Sequence, residues 1–328
     1  MVPFYGAGWV ASARQWPVLP WAVAVLYVFG VLQLQAYMKK HDIQPVKLRW
    51  VLIAWNATLA LLSTIGAIIT LPHLLFGEPA GLFVTGNLVE SVCAPAKWYR
   101  DDAVGLVMMI FVHSKYFELI DTVFLVLRKK RLTLLHVMHH SATLLLCQRL
   151  YTSESSTGLI HGSVNLMVHA IMYTYYMGTQ FHSLKPWLVA RGHFITQLQL
   201  AQMVLGVVTN LSILISILDG NTLNCAVDVG SMVFALTLYV VYLVLFANFY
   251  TSRASKRAEK KLKLNINIPI YRHEKRTRLM SLGHREPRVS QNVIVEEIRG
   301  GQQIGSALCH RDRCALQSGR EWRVVNII

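Results

Sequence analysis

The chain has few charged residues. They make up 15% of its 328 residues, whereas a soluble globular domain usually has about 25%. Hydrophobic residues make up 54%, and the mean hydropathy is +0.40. These values argue against a soluble globular enzyme and exclude an intrinsically disordered chain. Cysteine is also scarce, with five residues, so a small disulfide-rich scaffold is excluded.

The charge that is present is concentrated towards the C-terminus. Residues 1–252 contain 15 Lys and Arg against 10 Asp and Glu, whereas residues 253–328 contain 17 against 7. Two thirds of the net charge of +15 therefore lies in the last quarter of the chain. The composition predicts a membrane domain at 1–252, followed by a basic, flexible tail at 253–328.

Long apolar runs recur throughout the first part. A bilayer core about 30 Å thick requires roughly 20 apolar residues of helix, and seven segments meet that length. They are residues 17–37, 50–71, 103–127, 132–150, 157–177, 194–218 and 226–250. The predicted fold class is an all-α integral membrane protein with seven transmembrane helices.

The distribution of basic residues predicts the orientation. With seven spans, 27 of the 32 Lys and Arg fall on the same side of the membrane as the C-terminus. Cytosolic loops carry the excess of positive charge. We therefore expect a cytosolic C-terminus and an N-terminus that is lumenal or external.

The four middle spans carry polar residues on one helix face each, which is unusual because polar groups in a membrane are costly and mark function. The third span contains Lys115, Glu118, Asp121 and Thr122; the fourth contains His136, His139 and His140; the fifth contains Asn165, His169, Met172, Tyr173 and Tyr176; the sixth contains Thr196, Gln199 and Gln202.

These polar groups share one depth. At 1.5 Å of rise per residue, Asp121, His139, His169 and Gln202 each lie about 9–12 Å inside the cytosolic end of their spans. The coincidence predicts one polar chamber that opens towards the cytosol, with an apolar region beyond it. Taken singly, an intramembrane Gln could be a contact between helices, and the acidic pair with Lys115 could be a structural ion pair.

The histidines are compatible with two kinds of chemistry. A His-x-x-His-His box also occurs among the iron ligands of membrane di-iron enzymes, but those need several boxes and this chain has one. A site that binds a single metal ion is an alternative. In metal-free chemistry, a neutral imidazole accepts a proton or attacks an acyl thioester to give an acyl-imidazole.

The motifs resemble those of the ELO family of very-long-chain fatty acid elongases. Four patterns occur in the family's order: Lys-x-x-Glu-x-x-Asp-Thr at 115–122, His-x-x-His-His at 136–140, His-x-x-Met-Tyr-x-Tyr-Tyr at 169–176 and Thr-x-x-Gln-x-x-Gln at 196–202. The similarity covers roughly residues 20–250. The segment 127–136 is closer to the branch that acts on saturated and monounsaturated chains.

The resemblance implies a 3-oxoacyl-CoA synthase in which six helices enclose a substrate tunnel. Acyl-CoA would condense with malonyl-CoA to give 3-oxoacyl-CoA, CO2 and CoA, without a cofactor or a metal. The expected catalytic residues are His136, His139, His140, His169, Glu118 and Asp121. The expected substrate-binding residues are Lys115, Asn165, Met172, Tyr173, Tyr176, Gln199, Gln202 and the basic Arg128, Lys129, Lys130 and Lys185. His139 or His169 would form the acyl-imidazole.

The resemblance also implies a compartment and partners. We expect an endoplasmic reticulum membrane protein that contacts membrane lipids and acts with the ketoacyl reductase, dehydratase and enoyl reductase of the elongation cycle. A homodimer is an open alternative, and no nucleic acid is expected to bind. Cys93 and Cys225 fall in predicted lumenal loops, where disulfides persist, so we expect them to pair.

Two other functions compete with this interpretation. A membrane di-iron desaturase or hydroxylase would bind iron. A seven-helix receptor or transporter would bind a ligand without turnover, but the clustering of polar residues in one layer, rather than along a path through the membrane, argues against it.

Overall fold

The computed structural model describes residues 4–78, 81–92, 100–219, 227–280, 293–299, 302–310, 313–318 and 321–326. The chain divides into two compact units, Met1–Arg257 and Ala258–Ile328. The predicted cysteine pair, Cys93 and Cys225, lies outside the described residues, so the disulfide stays a prediction.

The elements described in the first unit are helices. In chain order they are α1 (Ala7–Gln15), α2 (Leu19–Lys40), α3 (Arg49–Phe76), α4 (Leu82–Thr85), α5 (Leu88–Val92), α6 (Asp102–Glu118), α7 (Ile120–Leu127), α8 (Leu134–Thr152), α9 (Thr157–Gly178), α10 (Lys185–Leu218) and α11 (Val229–Met280), the last of which continues past the boundary between the units.

The second unit contains four strands, which the sequence analysis did not predict. They are β1 (Val293–Arg299), β2 (Gln302–His310), β3 (Arg313–Ser318) and β4 (Glu321–Asn326). Each strand pairs antiparallel with the next in an order β1-β2-β3-β4. β1 and β4 contain several β-branched residues, which favour strands, but neither strand alternates regularly and the region is highly charged, so the sequence analysis took it for a tail.

Five helical segments are long and apolar enough to cross a membrane. They are Leu19–Lys40, Arg49–Phe76, Asp102–Leu127, Lys185–Leu218 and Val229–Ser255. They confirm five of the seven predicted spans and identify a multi-pass membrane protein. The other two predicted spans are helical as well, as α8 and α9, but they are less apolar, so the count of seven stays a prediction.

The position of α9 explains its polarity. Every residue from 157 to 163 is buried, and so are Asn165, His169 and Tyr173 further along the helix. Polar side chains on such a helix face protein rather than lipid, where they would be costly. Low hydropathy is therefore consistent with a membrane helix that other helices surround.

Six helical segments form a closed ring. Helix α3 packs on α9 and on α6, α9 packs on α10, and α6 packs on α8. An apolar cluster of α8, α10 and α11, which includes Leu146, Met203 and Tyr239, completes the circuit. Helix α2 lies outside the ring against α7 and α8.

Two predicted helix boundaries differ from the structure. The third span is interrupted at Leu119, so that α6 ends at Glu118 and α7 begins at Ile120. Helix α10 begins at Lys185 rather than at residue 194, with Pro186 in its first turn, where the missing N–H of proline costs nothing. Neither difference changes which face the polar residues occupy.

Helix α1 closes the ring at the end where α8 connects to α9. Val10 packs with Val104, Tyr151, Leu159 and other buried residues in one continuous apolar cluster.

Ionic contacts hold α1 and the start of α6 at this end. Arg14 and Arg100 both pair with Glu154, at 2.9 and 3.0 Å, and the Gly6 amide donates to Asp101 at 3.1 Å.

Asp101 is an acid of this network whose pKa is shifted. The Arg100 guanidinium lowers the pKa of Asp101, burial opposes that shift, and the Gly6 amide adds to it. A carboxylate with a lowered pKa stabilises the fold above its unfolded pKa of about 3.9, and the stabilisation is lost as the pH falls.

We expect Asp101→Asn to lower the free energy of unfolding by about 1 kcal/mol at pH 7, because it removes an ion pair and weakens a hydrogen bond. Between pH 5 and about pH 3, the variant should lose less stability than the wild type. Thermal unfolding in detergent across this range measures both effects. Parallel pH profiles for the two proteins would contradict the assignment.

Candidate active site

A polar chamber lies inside the ring, towards the end where α7 connects to α8. Its cavity volume is about 170 Å³. Its walls come from α7 to α11 and include Asp121, His136, His139, His140, Asn165, His169, Met172, Tyr173, Tyr176, Gln199, Gln202, Met203, Phe246 and Phe249. The structure therefore brings together residues of the four motifs, as the shared depth predicted.

An apolar pocket continues from this chamber towards the closed end of the ring. It is narrow, with a cavity volume of about 30 Å³, and extends to Leu150 and Gly158. Its wall residues include Phe111, Leu146, Cys147, Tyr239 and Tyr242. Four residues line both cavities: His139, Asn165, Gln202 and Met203. The site therefore changes from polar to apolar at the level of His139.

The first motif forms a buried ion pair beside the chamber. Lys115 is 3% exposed, and its Nζ donates to both oxygens of Glu118, at 2.8 and 3.0 Å. The same Nζ donates to Oδ1 of Asn165 at 3.2 Å. Nδ1 of His169 lies 3.9 Å from Oε2 of Glu118. Lys115 and Glu118 thus contact α9 without being among the residues that line the chamber.

Asp121 belongs to a separate network. Its carboxylate accepts from Nε1 of Trp55 at 2.5 Å and from the Tyr173 hydroxyl at 2.9 Å. Leu119, between α6 and α7, keeps helical dihedral angles (φ −59°, ψ −25°), so Asp121 lies about one turn from Glu118. Asp121 lines the chamber, whereas Glu118 is bound by Lys115.

The histidine box begins α8. Thr133 caps the helix, and its hydroxyl accepts from the His136 amide, an arrangement that serine and threonine favour at N-caps. The His136 and His140 rings lie 4.4 Å apart. His139 packs against Tyr242, at 5.2 Å between ring centroids. Within the part of the chain that the structure describes, the buried Nδ1 of His139 has no hydrogen-bond partner.

The remaining motif residues contact one another across α9 and α10. Nε2 of Gln199 donates to the Met172 sulfur at 3.4 Å. Gln202 and Thr196 are buried, whereas Tyr176 is 41% exposed at the edge of the chamber. These contacts place two amides and a phenol near the histidines, so the chamber can hydrogen-bond a polar ligand.

The predicted basic residues lie away from the chamber walls. Arg128, Lys129 and Lys130 follow α7, and Lys185 begins the exposed start of α10. Lys129 pairs with Asp42 at 3.2 Å. A role for these residues in binding CoA phosphates stays a prediction. Across the described residues, no group of three His, Cys, Asp or Glu side chains converges in a way that could hold a metal ion.

Several site residues were not found from the sequence. Trp55, Phe246 and Phe249 lie in apolar spans, where aromatic residues are common, so nothing distinguished them. Ser114 donates to Glu118 at 2.8 Å and adjoins the first motif, so its one-turn spacing from Glu118 was a usable signal.

These features define a class of protein: a multi-pass membrane protein with a histidine-lined intramembrane chamber that leads into an apolar pocket. The model of the ELO (GNS1/SUR4) family matches residues 12–262. Since this is more than half of the chain, the protein belongs to the ELO (GNS1/SUR4) family.

Several curated relatives of this chain are named as fatty acid elongases. Very long chain fatty acid elongase 6 of Drosophila melanogaster is 34% identical over 241 residues, 72% of this chain and 73% of that protein. Fatty acid elongase 3 of Trypanosoma cruzi (strain CL Brener) is 34% identical over 75% of this chain and 87% of that protein. Very long chain fatty acid elongase 3 of Homo sapiens is 30% identical over 76% and 85% respectively. The chain is accordingly an enzyme of fatty acid elongation.

We expect Lys115→Met to lower the free energy of unfolding by about 3–5 kcal/mol, because it leaves the Glu118 carboxylate buried without its cation. The double variant Lys115→Met/Glu118→Leu should recover a large part of the loss, because no charge is then left unpaired. Denaturant unfolding in detergent measures the coupling. Additive losses in the double variant would show that the two side chains do not stabilise each other.

Proposed function

We propose that the chain is a very-long-chain 3-oxoacyl-CoA synthase that uses His139 as its nucleophile. One observation carries this proposal: His139 lies where the polar chamber meets the apolar pocket. A thioester placed at this junction has its hydrocarbon chain in the apolar pocket and its CoA portion in the polar chamber. The substrate's own polarity thereby brings its carbonyl carbon to the imidazole.

The surroundings of His139 favour nucleophilic attack. Its ring packs against Tyr242 and Phe246, so water has little access to it and a covalent acyl intermediate is protected from hydrolysis. Nδ1 is buried and has no hydrogen-bond partner among the described residues. No hydrogen bond at Nδ1 therefore fixes the tautomer of this ring, so the proton can leave either nitrogen as the other attacks.

The reaction proceeds in two stages. In the first, an imidazole nitrogen attacks the thioester, the C–S bond breaks, the ring loses its N–H proton, and that proton leaves with the thiolate as CoA-SH. In the second, malonyl-CoA loses CO2, and the resulting enolate carbon bonds to the acyl carbon and expels imidazolate. The imidazolate takes one proton from solvent, so the overall reaction consumes one proton and releases 3-oxoacyl-CoA.

His169 and Glu118 form the acid–base pair of this scheme. Oε2 of Glu118 lies 3.9 Å from Nδ1 of His169, close enough to stabilise an imidazolium. His169 can therefore relay the ring proton of His139 to the departing thiolate, and later pass a proton from solvent to the imidazolate. His140 and Asp121 line the same chamber and assist the decarboxylation. Asn165, Met172, Tyr173, Tyr176, Gln199 and Gln202 bind the substrates' polar groups.

The orientation and compartment follow from the same scheme. CoA esters are cytosolic, so the chamber end faces the cytosol, in keeping with the positive-inside distribution of Lys and Arg. The closed end at α1 then faces the lumen of the endoplasmic reticulum. Arg128–Arg131, Lys185 and Arg191 would meet the CoA phosphates outside the chamber. The 3-oxoacyl-CoA would pass to a reductase, a dehydratase and an enoyl reductase.

The proposal is tested with purified protein, a series of acyl-CoAs and labelled malonyl-CoA, with and without a chelator. We expect 3-oxoacyl-CoA to form at the same rate in both samples. His139→Ala should lower the turnover rate at least about 10³-fold while the protein stays folded, because the nucleophile is lost. Iron in the folded protein, with no condensation, would favour a membrane oxidase instead.

Cys147 provides a second prediction. It is the one described cysteine with a described side chain, it is buried, and it lines the apolar pocket two turns from the histidine box. Because hydrocarbon rather than the thioester occupies that pocket, Cys147→Ala should keep turnover within about threefold of the wild type. Loss of all turnover in a folded Cys147→Ala would make cysteine, not histidine, the nucleophile.

A further inference from the structure

A chain of hydrogen bonds connects the outlying helix α2 to the histidine box. The Tyr27 hydroxyl lies 2.6 Å from Oγ1 of Thr122, and the same Oγ1 lies 2.9 Å from Nε2 of His136. Tyr27 is 8% exposed and Thr122 is fully buried. The chain passes from α2 through α7 to α8 and ends on a ring that lines the polar chamber.

Counting hydrogens fixes the direction of this chain. Within the described residues, Thr122 is the hydrogen-bond partner of the Tyr27 hydroxyl, so Thr122 must accept the phenol hydrogen if that buried donor is to be satisfied. The one hydroxyl hydrogen of Thr122 then points to His136. Nε2 of His136 therefore accepts, and a neutral imidazole that accepts at Nε2 carries its hydrogen at Nδ1.

The opposite direction is costly. If Nε2 of His136 donated to Thr122, one of the two hydroxyl hydrogens, that of Thr122 or that of Tyr27, would be left without an acceptor among the described residues. Leaving a buried donor unsatisfied carries the full cost of its desolvation. A charged imidazolium is disfavoured in the same way, because both of its nitrogens donate.

Packing alone does not account for the two hydroxyls. Helix α2 already docks through an apolar cluster of Tyr27, Val31, Leu119 and Leu144. A phenylalanine at 27 would fill nearly the same space in that cluster. The Tyr27 hydroxyl therefore contributes a hydrogen bond rather than additional buried apolar surface, and this hydrogen bond points towards the site.

We propose that Tyr27 is a positioning residue that acts through Thr122 to hold His136 as the neutral Nδ1–H tautomer. The inference rests on the proposed condensation and assigns His136 a role in it. With Nε2 engaged, Nδ1–H is the remaining polar hydrogen of the ring. It donates to the carbonyl oxygen that gains negative charge, either in the thioester addition or in the malonyl-derived enolate. His136 is thus a hydrogen-bond donor and not the base or the nucleophile.

The first test uses matched variants. Tyr27→Phe should lower kcat about tenfold and Thr122→Val about a hundredfold, with KM within about threefold, because a transition-state donor is weakened or misoriented. Thr122→Ser, which keeps the hydroxyl, should restore kcat. Tyr37→Phe is the control on the same helix, since Tyr37 is 56% exposed, and it should leave kcat unchanged. Wild-type kcat in folded Thr122→Val would overturn the proposal.

The second test does not depend on turnover. In protein labelled with ¹⁵N-histidine, the nitrogen shifts distinguish an Nδ1–H ring from an Nε2–H ring, and His136→Gln identifies the signal by its loss. We expect an Nδ1–H ring in the wild type and a mixture of tautomers in Thr122→Val. An Nε2–H ring in the wild type would overturn the relay. If the relay is seen but no condensation occurs, the proposed function fails while the hydrogen-bond assignment stands.

Discussion

A lysine buried inside the membrane domain is the constraint on which the site depends. Burying an ammonium group away from water destabilises a fold unless an opposite charge and further hydrogen-bond acceptors contact it. Lys115 obtains these from Glu118 and Asn165. Because Glu118 also lies beside His169, one satisfied cation fixes a carboxylate, an amide and an imidazole across α6 and α9. The charge that is most costly to bury therefore sets the geometry of the proposed acid–base pair.

The second organising feature is the change of polarity at His139. A hydrocarbon chain gains about 0.8 kcal/mol for each CH2 that it buries, so in the proposed reaction a long acyl group would enter the apolar pocket as far as the pocket allows. The pocket extends to Leu150 and Gly158, and its length would set that depth. Under the proposal, these effects would hold the thioester at one level without contacts to its reacting atoms. Binding energy far from the reacting carbonyl would then position the carbonyl itself.

The sequence predicted the helix faces and their common depth because both depend on regular spacing along single helices. His136, His139 and His140 at one-turn spacing share a face in any helix. Contacts between helices were not accessible in this way. Trp55 and Tyr27 come from spans that look uniformly apolar. Their roles depend on hydrogen bonds to partners 66 and 95 residues away along the chain. The start of α10 was placed too late because Lys185, Arg191 and His193 interrupt the apolar character of its first nine residues.

Two nearby carboxylates of this site have different partners. Leu119, which lies between them, keeps helical dihedral angles, so Glu118 and Asp121 lie about one turn apart and like charges would repel in a medium of low dielectric constant. Glu118 pairs with the Lys115 cation, whereas Asp121 is held by the neutral donors of Trp55 and Tyr173. Two acids one turn apart thereby acquire different environments, which is the condition for giving them different tasks in one reaction.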